Sequence, residues 1–319
     1  MDVSVVICSY TFDRWDGLLA AVESALRQTL PPKEVIVVID HNPELYARAG
    51  SVLPHATVIN NENLAGISGA RNAGLSAATG EILAYLDDDA IASETWLEDL
   101  LAAFTSDRVL GAMGLIAPLW ETARPGWFPA EFDWVIGCTY VGMPQDGEVR
   151  NLFGADSFRR HILAEAGGFS VELGRTSTQA LGDEETGACI RMSLLRPDGV
   201  FIHTSGARVD HHVPASRTTW QYFRRRCWGE GISKANLSRI VGARTGLSSE
   251  LHHTLVTIPS GVGRALRSFL RGDSAGLARA AALVAGLAVT TTGYAVGSLR
   301  LHAQSLGERT GAAFSGDPK

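Results

Sequence analysis

The stretch EILAYLDDDAI, Glu81 to Ile91, places three consecutive carboxylates, Asp87, Asp88 and Asp89, directly after an apolar run. At an effective dielectric of about 20, two unit charges ~4 Å apart interact by roughly 4 kcal/mol, so an unpartnered acidic triplet at the end of a buried strand is costly. A positive partner is therefore expected beside it. Carboxylates in an Asp-x-Asp arrangement suit a hard divalent cation that keeps waters and also coordinates phosphate oxygens. Such a cation neutralises a diphosphate leaving group as its bond breaks. Acidic triplets also occur in solvated turns, so the neighbouring residues have to choose between the two readings.

Upstream, NLAGISGARNAGLSAATGE (Asn63 to Glu81) contains Gly66 and Gly69, where a backbone can approach a ligand. Arg71 sits in the opening turns of a helix, where anionic groups are favoured. Its fork suits a phosphate, and equally a structural pairing with Asp87 or Asp88.

The elements that must position these groups are legible as short apolar runs, at Val3 to Cys8, Val35 to Ile39, Thr57 to Asn60, Ile82 to Leu86 and Val109 to Leu115. Helical patterns lie between them. Leu18, Ala21, Val22 and Ala25 are spaced i, i+3, i+4, i+7, with Pro31-Pro32 as the stop. Leu97, Leu100, Leu101 and Phe104 repeat the spacing, with Ser93 as the expected N-cap and Glu94 in the first turn. This alternation predicts an α/β fold built on a Rossmann-like, doubly wound, mostly parallel sheet. Ligands of such sheets collect beyond the carboxyl ends of the strands, where Asp40 and the acidic triplet emerge. A helix over Glu184 to Leu195, with Ala188, Met192 and Leu195 as its apolar stripe, and a strand at Gly199 to His203 complete the reading.

The bulk numbers agree with a globular enzyme: 319 residues, 45% hydrophobic and 19% charged. The first residues carry an acid and no basic region, so no signal peptide is expected. Cys8, Cys138, Cys189 and Cys227 are far apart, as in a cytoplasmic protein with reduced thiols. The net charge of -6 conceals a split, because Arg217 to His302 holds twelve Arg or Lys against three acids. An acidic body, residues 1–215, with a basic helical region, 216–319, is the expected division. WQYFRRRCWGEGISKA and GVGRALRSFLRG mix arginines with large apolar residues, a pattern that suits an anionic membrane surface as well as a solvated helix face. Ala280 to Leu299 is uncharged and long enough to span a bilayer, yet its Ala, Gly and Thr content favours a buried or interfacial helix. Nothing in the sequence calls for a nucleic-acid partner, and it leaves the oligomeric state open.

Taken in order, VSVVICSYTF, VIVVIDHN, NLAGISGARNAGL and GEILAYLDDDA resemble the nucleotide-binding half of the family 2 glycosyltransferases, which have the GT-A fold, and the members they resemble are of the actinobacterial, non-processive type. The resemblance implies that Ser9, Tyr10 and Asp40 contact base and ribose, that Asp87 faces the ribose, and that Asp89 binds Mn²⁺ or Mg²⁺. Gly69, Arg71 and Asp88 fall in the same nucleotide-binding set, and Asp87 is also a candidate metal ligand. His41 stands where most members have a second acid. FGADSFRRHILAEAGGFSVELGR (Phe153 to Arg175) is similar to the segment lining the acceptor entrance, which makes Gly168 and Phe169 candidate acceptor contacts. Trp127, from the Trp-rich stretch after residue 116, is a third, as ring faces pack on sugar or isoprenoid C–H surfaces, although core packing is expected for at least two of Trp120, Trp127 and Trp134. LGDEETGACIRM (Leu181 to Met192) is similar to the acidic motif before the acceptor-side helix. An inverting transferase needs one carboxylate to take the acceptor's proton. Glu185 is the first candidate, with Glu184 and Asp183 as alternatives and helix capping as the other role for Asp183. ARVDHHVP (Ala207 to Pro214) resembles a family strand ending in His, so His211, ahead of His212, completes the metal set or meets the phosphates.

The implied function is a metal-dependent, inverting transfer of a single sugar from a nucleotide-sugar, UDP first among the carriers. The acceptor is a glycan, a small-molecule hydroxyl or a polyprenyl phosphate, and the setting is cell-envelope synthesis at the cytoplasmic face of the membrane. The processive QxxRW pattern is incomplete, since Gln221-Tyr222-Phe223-Arg224-Arg225 lacks the Trp. Two other classes compete. A sugar-nucleotide-synthesising nucleotidyltransferase would carry a Gly-rich basic loop after the first strand, where this chain has Ser9-Tyr10-Thr11-Phe12. A catalytically silent carbohydrate- or membrane-binding scaffold would show no nucleotide affinity.

Overall fold

Strands buried on both faces are apolar throughout rather than alternating, because successive side chains enter opposite cores. The computed structural model describes residues 1–174, 182–242 and 250–314; Arg175, which closes one of the motifs above, Leu181, which opens another, and Arg244 of the basic segment lie outside the described residues. In β1 (Val3–Ser9), Val3, Val5 and Ile7 enter one core and Val6 the other. In β2 (Glu34–Ile39) and β4 (Ile82–Asp87) the neighbours divide the same way. The first core is covered by α1 (Trp15–Leu26), α2 (Pro43–Val52) and α4 (Trp96–Ala102) through Leu18, Val22, Leu45 and Leu97. The second is covered by α3 (Ile67–Ala77), α5 (Arg160–Glu165) and α6 (Glu184–Leu195) through Ala70, Leu75, Leu163, Ala188 and Met192.

Adding β3 (Thr57–Asn60), β5 (Ala90–Ala92), β6 (Val109–Trp120), β8 (Asp156–Arg159) and β9 (Val200–Val213), the sheet order is β3-β2-β1-β4-β8-β6-β9-β5, with β7 (Asp146–Val149) paired to β9. The first four are parallel. β8 runs antiparallel between β4 and β6, and β6 is parallel to β9. This is the mixed, mostly parallel α/β sheet expected from the alternation. With β2 on one side of β1 and β4 on the other, the crossovers reverse there, and a crevice opens past the carboxyl ends. Register puts Ser9 beside Ile39 and Cys8 beside Asp87, so Tyr10, Asp40 and the acidic triplet share that rim.

Several local expectations differ from the structure. β6 and β9 run on past their apolar runs because they pair with each other as far as Trp120 and Val213. At the bulge between Gly114 and Leu115 a Cβ on Gly114 would lie 1.7 Å from the Ala207 carbonyl oxygen, so only glycine fits. Ser93 does not cap α4. The helix starts at Trp96, whose N–H donates to the Ser93 carbonyl at 3.0 Å, and its first-turn acids are Glu98 and Asp99 rather than Glu94. α1 ends at Leu26, ahead of Pro31. Leu195 is half exposed, and Cys189 takes its place in the buried stripe of α6.

The basic segment forms α7 (Trp220–Val241), α8 (Ile258–Leu270) and α9 (Ala275–Phe314). The Thr219 hydroxyl caps α7 by accepting from Tyr222 N–H at 3.2 Å. Phe223 ties α7 to the first core, its ring centroid 5.5 Å from Phe128 and 5.2 Å from Phe132. α9 crosses α7 in backbone contact, since a Cβ on Gly231 would lie 2.2 Å from the Thr290 carbonyl oxygen. The segment Ala275–Ala303 is long and apolar enough to cross a membrane by length and composition, with 33% of its most apolar window buried against the rest of the protein.

Candidate active site

The nucleotide side of the rim is built by a carboxylate that organises two loops. Asp40 accepts from Asn61 Nδ2 at 2.6 Å, from the Gly66 N–H at 2.8 Å and is 2.8 Å from His41 Nδ1. Asp40 thereby holds the entrance of α3, where Gly66 has a φ of 124°. Asn42 caps α2 and reaches the Tyr10 carbonyl at 3.0 Å, which leaves the Tyr10 ring exposed beside Ser9.

The acidic triplet divides by role. Asp88 is buried and accepts from Arg14 at 2.7 Å, so the protein itself supplies part of the expected positive charge. Burial pushes the Asp88 carboxyl up to about 6 against the pull of Arg14, with Asp89 adding to the rise. Asp89 lies 3.1 Å from Arg217, 3.5 Å from Arg14 and 3.7 Å from His211 Nε2, the last too long for a hydrogen bond. Ligand atoms of Asp87, Asp89 and His211 all lie within 4.8 Å of one another. Two carboxylates and an imidazole fit Mn²⁺ or Mg²⁺ with positions left for water and phosphate oxygens. The imidazole suits this use: burial, with Arg217 and Arg14 nearby, lowers its pKa against the attraction of Asp89 and Asp87, so it stays neutral. Gly137 makes room for the ring, since a Cβ there would lie 3.0 Å from Nε2 and its φ is 83°.

The acceptor side is organised by Arg71. Its guanidinium is buried between Tyr85 and Phe169, 5.4 Å from each ring centroid. From there it reaches Glu185 at 2.5 Å, Glu184 at 3.7 Å and Asp87 at 3.8 Å. Burial alone would raise the Glu185 pKa, but the charge and hydrogen bond of Arg71 hold it below the ordinary value. Glu185 is thus an ionised carboxylate at neutral pH. Asp183 has left-handed backbone, φ 70°, and caps nothing with its side chain; it pairs instead with Lys234 of α7 at 2.7 Å. Asp156, at the start of β8, is fully buried with no hydrogen-bond partner for either carboxyl oxygen among the described residues. Burial raises its pKa well above the ordinary carboxyl value, Arg71 opposing and Glu185 and Asp87 reinforcing, which favours the protonated acid behind Arg71.

These groups line one cleft of about 1590 Å³, which holds Ser9, Tyr10, Asp40, Arg71, the triplet, His211 and the α6 acids. Residues 4–130 match the family described as Glycosyl transferase family 2. The glucosyl-dolichyl phosphate glucuronosyltransferase of Haloferax volcanii is 34% identical over 241 residues, covering 73% of this chain and 76% of that protein. The chain belongs to glycosyl transferase family 2. Two solved structures at 18% identity share its fold. The mannosyltransferase PcManGT from Pyrobaculum calidifontis, in complex with GDP-Man and Mn²⁺, has a TM-score of 0.57 over 93% of this chain and 85% of its own. GalNAc-T7 with UDP, GalNAc and Mn²⁺ has a TM-score of 0.52 over 76% of this chain and 54% of its own. The protein is therefore a glycosyltransferase of GT-A-like fold, which decides against the nucleotidyltransferase and silent-scaffold readings.

In this glycosyltransferase four sequence-predicted contacts have other surroundings. Gly69 packs inside the α3 loop, where a Cβ would lie 1.9 Å from the Leu64 carbonyl oxygen, and Gly66 lines the cleft in its place. Phe169 is buried and supports Arg71, while Gly168, φ 63°, abuts Asn72; neither lines the cleft. Trp127 stands edge-on to Trp220 and Phe223 at 5.2 and 5.6 Å, and Trp134 reaches the cleft instead. Arg14, Arg217, Lys234 and Asp156 are site residues that the motifs did not single out. The segment expected as an appendage supplies a cleft wall, because Tyr222, Arg225, Arg226 and Lys234 of α7 all face it.

Proposed function

We propose that this glycosyltransferase transfers one sugar, with inversion, from a nucleotide-sugar carried on UDP to a hydroxyl or lipid-linked phosphate in envelope glycan synthesis. Residues 1–215 carry the proposed metal ligands and base, Arg217 and α7 complete the cleft, and the basic helices of 216–319 also hold the enzyme at the cytoplasmic face of the membrane. The observation that carries the reading is Arg71, which stands 3.8 Å from Asp87, the acid assigned here to the donor, and 2.5 Å from Glu185, the candidate base. A transfer enzyme needs its donor site and its acceptor base in one fixed frame, and a buried guanidinium with three carboxylate neighbours supplies that frame.

Asp87, Asp89 and His211 would hold a divalent cation, which supplies charge neutralisation to the departing diphosphate. Ser9, Tyr10 and Asp40 border the nucleoside, with Asp40 acting mainly through the loop it fixes. Arg14 and Arg217 balance the triplet and stand beside the space for the phosphates. Glu185 accepts the proton of the attacking hydroxyl, while Glu184 and Asp183 set the field around it. Mn²⁺-bound relatives of the fold and a relative named for a dolichyl-phosphate sugar support the metal and the lipid-linked acceptor as candidates.

A thermal-shift panel of UDP-, GDP-, dTDP- and CDP-sugars with and without Mn²⁺ tests the reading. One nucleotide-sugar should raise the melting temperature only when the metal is present. A flat panel in the folded protein sinks it.

A further inference from the structure

The large cleft has an apolar end around Phe132, Trp134 and Tyr140. Phe132 and Tyr140 stand 6.0 and 5.2 Å from the His253 ring, and the cleft is lined as well by Leu251 and Leu255, from the turns before α8, and by Leu287 and Tyr294 of α9. Leu251 and Leu255 are 61% and 68% exposed, so the apolar end of the cleft opens onto an apolar surface. That surface continues along α8, where Leu266 is exposed and Leu270 is 81% exposed. Leu266 and Leu270 are spaced i, i+4 and share one side of α8, and Leu255 lies in the π-helical turn, His253–Thr257, that leads into it.

The side of α8 next to these leucines is basic. Arg264, Arg267 and Arg271 follow at i, i+3, i+7. Arg264 is used to fix the helix to the body through Glu131 at 2.6 Å. Arg267 and Arg271 are exposed and have no carboxylate partner among the described residues. The third side, Ile258, Gly261 and Ala265, is buried against the body. A helix with a docked side, an exposed aliphatic side and a free cationic side between them matches the headgroup boundary of an anionic leaflet, which offers both an apolar layer and negative charge.

We propose that α8 and the turns before it dock the enzyme on an anionic lipid bilayer, with α8 lying in the headgroup plane and no helix of the described residues crossing the membrane. The apolar end of the cleft then faces the lipid phase. α9 does not serve as the anchor by spanning: Gly231 and Gly293 bring it into backbone contact with α7, a helix carrying Arg224, Arg225, Glu230 and Lys234, so lipid cannot surround it. The docking stands on the helix surface alone. The consequence that the acceptor is a membrane amphiphile, entering head first past Leu251 and Leu255, rests on the proposed function.

Flotation of the full chain with vesicles tests it. The protein should float with vesicles of equal parts phosphatidylcholine and phosphatidylglycerol, bind pure phosphatidylcholine far less, and be released by an alkaline carbonate wash. R267E/R271E should lower partitioning onto the anionic vesicles by roughly 25-fold or more, at about fivefold per lost arginine before counting the added repulsion. L266E/L270E should abolish binding to both vesicle types, and both double variants should keep the parent melting temperature. Asp89→Asn should float like the parent, so a failed transfer chemistry would leave the docking result intact. Equal binding of all variants, retention after the carbonate wash, or a dimer in sedimentation equilibrium that L266E/L270E converts to monomer without any vesicle binding would each overturn the proposal.

Discussion

Arg71 Nη1 lies 2.5 Å from Glu185 Oε1 across 114 residues of sequence, and the same guanidinium stands 3.8 Å from Asp87. The pair joins the first helix after the glycine loop to the first turn of α6, so the donor and acceptor halves of the cleft are held by one buried cation. Buried ion pairs contribute little net stability when intact, yet removing one partner strands the other's charge.

Arg71→Ala should therefore destabilise the fold by about 3–5 kcal/mol in urea unfolding. Arg71→Lys should recover only part of this, because an ammonium cannot stack between Tyr85 and Phe169 while meeting two carboxylates. The double variant with Glu185→Gln should lose less than the sum of the singles. Glu185 has a depressed folded pKa, so its contribution is present above the unfolded value of about 4.3 and is lost as pH falls through the folded value. The melting temperature should show this acid limb in the parent and lack it in Arg71→Ala.

Glu185→Gln should lower kcat by roughly 10²–10⁴-fold while leaving the metal-dependent thermal shift by the donor in place. Turnover at the parent rate would remove Glu185 as the base and leave Glu184 and Asp183 to be tested in the same way.

Asp89→Asn should abolish the Mn²⁺ dependence of both donor binding and turnover. In the parent, burial keeps His211 neutral below the ordinary histidine value of 6.5, so Mn²⁺ affinity measured by electron paramagnetic resonance should hold through pH 6.5 and fall only at lower pH. A fall centred above that value would contradict His211 as a buried neutral ligand.

Burial favours the protonated acid of Asp156 in the folded state, so Asp156→Asn, which keeps its shape and lack of charge, should stay within about 1 kcal/mol of the parent, whereas an Asp156→Glu side chain should overpack the site and cost about 1–3 kcal/mol. Chemical denaturation separates the two. A large loss in the Asn variant would mean that the site holds a carboxylate there.

Much of the donor side was readable in the chain. The rim carboxylates Asp40 and Asp87 to Asp89 follow apolar runs whose length and composition fix them as strand ends, and register then aligns those ends. The acceptor side was less readable. The motif DEE gave three adjacent acids, and their environments differ because Lys234 meets one and Arg71 another. Trp127 and Phe169 looked like ligand contacts because aromatic rings serve cores and sugar sites alike, and burial alone separates the two uses.

By itself the sequence determined the class of sheet, the rim on which carboxylates collect and the divided charge of the chain, since periodicity and composition act over a few residues. Tertiary structure decided which charges meet. Arg14 finds Asp88 over 74 residues, and Arg217 finds Asp89 over 128, separations at which no local pattern records a contact. It also decided which acids keep their charge, because burial and neighbouring guanidinium groups, brought together only by folding, leave Glu185 ionised and favour the protonated acid of Asp156.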